Sequence, residues 1–99
     1  MSFADFQHSA TADAAPPEHL TRALQALWHD RRGHWEAAHA LAQEASGADG
    51  AWVHAYLHRK EGDPGNADYW YRLAGQPMHA GDLTEEWAQI ARTLLSHAG

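Results

Sequence analysis

His54, His58 and Glu61 stand at i, i+4 and i+7, so on a helix they share one face. Histidines one turn apart can grip a single divalent ion, and a carboxylate a turn further on can supply a third ligand. The pattern is not the H-E-x-x-H of zinc proteases, because Ala55 stands where the glutamate is needed. The competing reading is a polar helix face packed on a neighbouring hairpin. A second set is His29, His34 and His39. His34 and His39 are five apart, which suits one helical face poorly, and stacking on tryptophan is the favoured role there.

A third set is aromatic: Trp52 and Tyr56, then Tyr69, Trp70 and Tyr71, with Arg59 and Arg72 close by in the chain. On adjacent helices such residues could line a pocket for a peptide or an apolar ligand. Trp52 and Trp70 are expected in the core. Tyr69 and Tyr71, with His54, His58, Arg59 and Arg72, are the candidate partner-binding residues. No glycine-rich phosphate loop, no Gly-x-Ser-x-Gly and no distinguished nucleophile is present, so no catalytic residue is expected and an enzyme ranks last. No cofactor is implied beyond a divalent metal at His54, His58 and Glu61.

The balance of 7 Lys+Arg against 13 Asp+Glu, a net charge of −6 with histidine neutral, argues against nucleic acid and anionic membrane as partners. Nine histidines mean that this charge moves strongly between about pH 7 and pH 5. The chain has no cysteine, which excludes disulfides and thiolate sites and fits a reducing, cytoplasmic location. Met1 to Ala15 lacks a basic residue followed by an apolar run, so no secretory signal is expected, and no stretch is apolar enough to span a membrane.

The elements that must position these residues are helical. Residues 1–16 are rich in Ala, Ser, Thr and Asp and read as a flexible arm, with Phe3 and Phe6 able to pin it to the domain. Residues 17–99 read as one domain with helices near 17–32, 34–45, 50–61, 64–74 and 82–97 and no sheet. Pro16-Pro17 opens the first. Asp49 caps the third, after a turn from Ser46 to Gly50. The fourth buries Ala67, Trp70, Leu73 and Ala74. The fifth has the clearest stripe: Leu83, Trp87, Ile90, Ala91, Leu94 and Leu95.

An offset of 29 residues pairs Gly33 with Gly62, Ala38 with Ala67, Ala45 with Ala74 and His29 with His58. Small residues at repeated positions allow two helices to approach closely. With Gly33-His34-Trp35-Glu36-Ala37-Ala38 as the inter-helix turn, the chain resembles the tetratricopeptide-repeat superfamily. The run from Asn66 to Gly75, with its Ala-x-x-Trp-Tyr, is similar to the Sel-like branch. That resemblance implies two antiparallel hairpins with a C-terminal capping helix, and a protein or peptide as partner. Two hairpins leave open end faces, so a second copy is the other expected partner, in a homodimer touching through the last helix.

Overall fold

The computed structural model describes residues 1–98, which form six α-helices and no strand: α1 Phe3–Ala12, α2 Arg22–Arg31, α3 Trp35–Glu44, α4 Gly47–Glu61, α5 Pro64–Ala74 and α6 Leu83–Ala98. The all-α class stands, with one helix more than the periodicity predicts. Consecutive helices pack in pairs, α2 with α3 and α4 with α5, and α6 lies against α2 and α4. Local chemistry sets the ends. Thr21 accepts from the Leu24 N–H at 3.3 Å and Asp63 from the Asn66 N–H at 3.2 Å, each satisfying a donor that the first turn leaves free. Gly62 closes α4 at φ +88°, a left-handed conformation that a side chain resists.

Helix α4 is the centre of the domain. Every residue from Gly50 to His58 is buried, because α2, α3, α5 and α6 all pack on it. This explains its wide apolar arc: a helix covered on all sides needs no polar face. Its start differs from expectation. The helix begins at Gly47 rather than 50, and Asp49 lies in the first turn instead of capping it. The close approach of α3 allows this. A Cβ on Gly50 would sit 2.4 Å from the Ala45 carbonyl oxygen, so only glycine lets the end of α3 meet the start of α4.

Three further expectations are corrected. Residues 1–16, expected as a flexible arm, contain a helix, since α1 fills most of that segment. Phe6 is fully buried and stacks on Trp87 at 5.6 Å, with Phe3 edge-on to the same ring at 6.0 Å. The Trp28 indole N–H donates to Ser9 at 3.1 Å. Tertiary contacts therefore stabilise a segment whose composition reads as loop. Pro16-Pro17 does not open α2 either; a turn intervenes and Thr21 caps the helix. On α5 the buried side is Ala67, Tyr71 and Ala74, while Trp70, expected in the core, is half-buried and Leu73 is exposed.

Helix α6 spends its stripe inside the chain. Trp87, Ile90, Ala91 and Leu94 are buried, and the Trp87 indole donates to the Leu27 carbonyl at 2.9 Å. Its apolar face is a cover for α2 and α4, which leaves little of it for the homodimer contact expected there.

Candidate metal centre

Helices α3 and α4 run back along each other from the turn at Ala45–Ser46, so residues before the turn meet residues after it. His39 on α3 and His54 on α4 face each other in this way, and their Nε2 atoms lie 3.0 Å apart. His58, one turn further along α4, completes a trio. The ring nitrogens that His39, His54 and His58 offer all lie within 4.8 Å of one another. Two of the three are core residues, with His54 3% and His58 6% exposed; His39 is half-buried.

Aromatic rings fix the orientation of the trio. Trp35, one turn before His39, stacks on it at 4.8 Å and 10°, and the Trp35 indole crosses to the Leu57 carbonyl of α4 at 3.0 Å. Trp70 of α5 stacks on His54 at 3.8 Å and 14°. Glu61 holds the Nδ1 of His58 at 2.9 Å. A carboxylate on one ring nitrogen fixes the tautomer and leaves the other nitrogen, Nε2, with its lone pair.

Two of the three, His39 and His54, resist protonation. Burial pushes His54 down to about 4, with the nearby His39 and His58 adding to the effect. His39 is also lowered, first by burial and then by His58, against a smaller upward pull from Glu61. Both imidazoles are therefore neutral at pH 7, the form in which a metal is bound. Metal–nitrogen bonds of about 2.0–2.1 Å place tetrahedral ligand nitrogens roughly 3.3 Å apart. The 3.0 Å between His39 and His54 is a few tenths from that spacing. An all-imidazole set suits zinc, copper, nickel or cobalt better than magnesium or calcium.

Of the residues singled out in the sequence, His54 and His58 are brought together as expected. Glu61 sits behind His58 on its Nδ1 edge, where it also forms an exposed group with Asp63. His39 had been grouped with His29 and His34. It joins the α4 pair instead, while His29 lies edge-on to its neighbour Trp28 at 5.0 Å. The partner-binding set does not form one surface. Arg59 and Tyr71 both bond the buried Glu86, and Arg59 also donates to the Gly81 carbonyl at 3.0 Å. Tyr69 is exposed, and Arg72 pairs with Asp68 on the surface.

An apolar groove begins one turn from the trio. It has a volume of about 360 Å³ and is walled by Ala42 and Gln43 of α3, Ala45 in the turn, Gly47, Ala48 and Ala51 of α4, and Trp70 and Leu73 of α5, with His54 among the lining residues. Searches against protein-family models, curated proteins and solved structures find no match to this chain.

Proposed function

We propose that this protein binds a divalent transition-metal ion through His39, His54 and His58. The observation that carries this reading is the convergence of three imidazoles, from two helices, to within 4.8 Å in a mostly buried setting. Polar groups placed in a core without full pairing cost stability, and three imidazoles meeting at one point make few hydrogen bonds among themselves. An ion at their centre would satisfy all three lone pairs at once. Glu61 then acts as the outer partner that orients His58, in place of the third ligand that spacing alone suggests.

The test is thermal unfolding of the chelator-treated protein with and without zinc. A ligand that binds only the folded state raises its stability by about 2.7 kcal/mol at a hundred times the dissociation constant. The expected result is a clear rise in Tm that disappears in His39→Ala. A rise that survives His39→Ala and disappears in Glu61→Ala assigns the ion to His54, His58 and Glu61 instead. No rise in the wild-type protein removes the metal reading.

A second reading is a small protein-interaction module of the tetratricopeptide-like kind. It is supported by Tyr69 and Leu73, large apolar side chains left in water one turn apart on α5.

A further inference from the structure

A tetrahedral ion held by His39, His54 and His58 has one position left to fill. Among the described residues no other histidine, aspartate or glutamate joins that trio within ligand distance, and the chain has no cysteine. Glu61, the nearest carboxylate in the sequence, is engaged by the Nδ1 of His58. The fourth position is therefore left by these side chains to a ligand from outside the chain. Sites with three protein ligands and one open position are the kind that exchange water for small molecules, whereas purely structural zinc sites are closed by four.

The helical register shows where such a molecule lies. Ala42 stands one turn beyond His39 on α3, and Ala51 one turn before His54 on α4. Because the two helices run in opposite directions, both steps lead the same way, into the groove that His54 helps to line. Trp70 belongs to both places: its ring stacks on His54 and forms the groove wall. The remaining walls are mostly methyl groups and the Leu73 side chain, with Gly47 and the uncharged amide of Gln43 beside them. Nearby cations are committed elsewhere, with Arg59 on Glu86 and Lys60 on Asp30. The only strong attraction for a head group is the ion itself. A doubly charged ion on three neutral ligands keeps its full charge, which favours an anion.

We infer that the metal's fourth position takes a small singly charged anion, such as a carboxylate, whose apolar tail lies in the groove between α3, α4 and α5. This rests on the metal reading above. The head group replaces the metal-bound water, and the tail covers the alanine methyls and the edge of Trp70. Burial of only part of a phenyl ring is enough for a tenfold gain in affinity.

Cobalt(II) replaces zinc in such sites and makes the fourth position visible through its absorption bands. The experiment titrates the cobalt protein with acetate and, separately, with phenylacetate. The expected result is a spectral change with both anions, at an at least tenfold lower concentration for phenylacetate. Ala48 lies exposed at the groove mouth, so Ala48→Phe fills the groove without disturbing the core. In that variant the advantage of phenylacetate should fall away while acetate still shifts the bands. Cobalt bands that respond to neither anion mean a closed site; the inference is then wrong and the metal reading stands. Equal response to both anions, or an advantage that survives Ala48→Phe, overturns the groove as the tail site. Absence of cobalt bands overturns both readings together.

Discussion

Two faces of α4 bury polar side chains, and they treat them differently. On one, the carboxylates of Asp30 and Glu86 are 3% and 1% exposed and fully partnered. Asp30 accepts from the Tyr56 hydroxyl at 2.7 Å and from Lys60 at 2.9 Å; Glu86 accepts from Arg59 at 2.9 Å and from the Tyr71 hydroxyl. Both phenols are pushed above their ordinary range by burial and by the facing carboxylate, so both stay protonated donors. On the other face, three histidines share one ring-to-ring hydrogen bond and the contact to Glu61. The first pattern is closed: each acceptor has its donors, and the bonds tie α4 to α2, α5 and α6. The second has lone pairs to spare. A closed network stabilises a fold, and an open one can take a ligand.

The sharpest way to break this comparison is to open the closed side. Glu86→Ala strands the partly buried Arg59 charge and the Tyr71 hydroxyl, and should cost about 3–5 kcal/mol. Urea unfolding at pH 7 measures it. A loss under about 1 kcal/mol would show that the network contributes no more than a surface pair.

Acid should open the other side by a different route. His54 titrates at about 4 in the folded protein and at 6.5 when unfolded. Between those values the unfolded chain holds a proton that the folded chain refuses, so stability is complete above about pH 6.5 and is lost as pH falls toward 4. The loss from this one residue reaches about 3 kcal/mol by pH 4. Metal-free protein should show it as a falling urea midpoint, and His54→Gln should flatten the fall between pH 6.5 and 4.5. An unchanged slope in that variant would place the acid sensitivity elsewhere.

The smallest effect distinguishes an orienting carboxylate from a mere helix-end pair. Glu61→Gln keeps an acceptor for the His58 Nδ1–H but removes the charge, and should weaken zinc binding about tenfold. Calorimetric titration reads this directly. Unchanged affinity would make Glu61 irrelevant to the metal.

The parts legible in the sequence are those set by local rules. The limits of α5 follow from Asp63, Pro64 and Gly75, and the stripe of α6 follows from its 3.6-residue period. His54 and His58 could be paired because i and i+4 always share a helix face. Helix α1 was hidden, since two large apolar residues, Phe3 and Phe6, give little local signal and its burial depends on Trp87, far along the chain. Leu73 falls outside the core because Trp70, Tyr71 and Leu73 share one short helix: Tyr71 finds a buried partner in Glu86 and Trp70 one in His54, while Leu73 is left exposed.

His39 marks the boundary most clearly. Its type, and its place one turn after Trp35, can be read from the chain. Its position on the far side of the Ala45–Ser46 turn from His54 can be read as well, but it has meaning only if α3 and α4 pack face to face. Sequence alone determined an all-α chain with two histidines on one helix face. The third ligand, the displacement of Glu61 to the outer edge of His58 and the groove beside them were decided by the packing of α3 and α5 on α4. Helix periodicity is a local property of the backbone, whereas the meeting of side chains from different helices depends on how close those helices come, and at Gly50 that distance is set by the absence of a single Cβ.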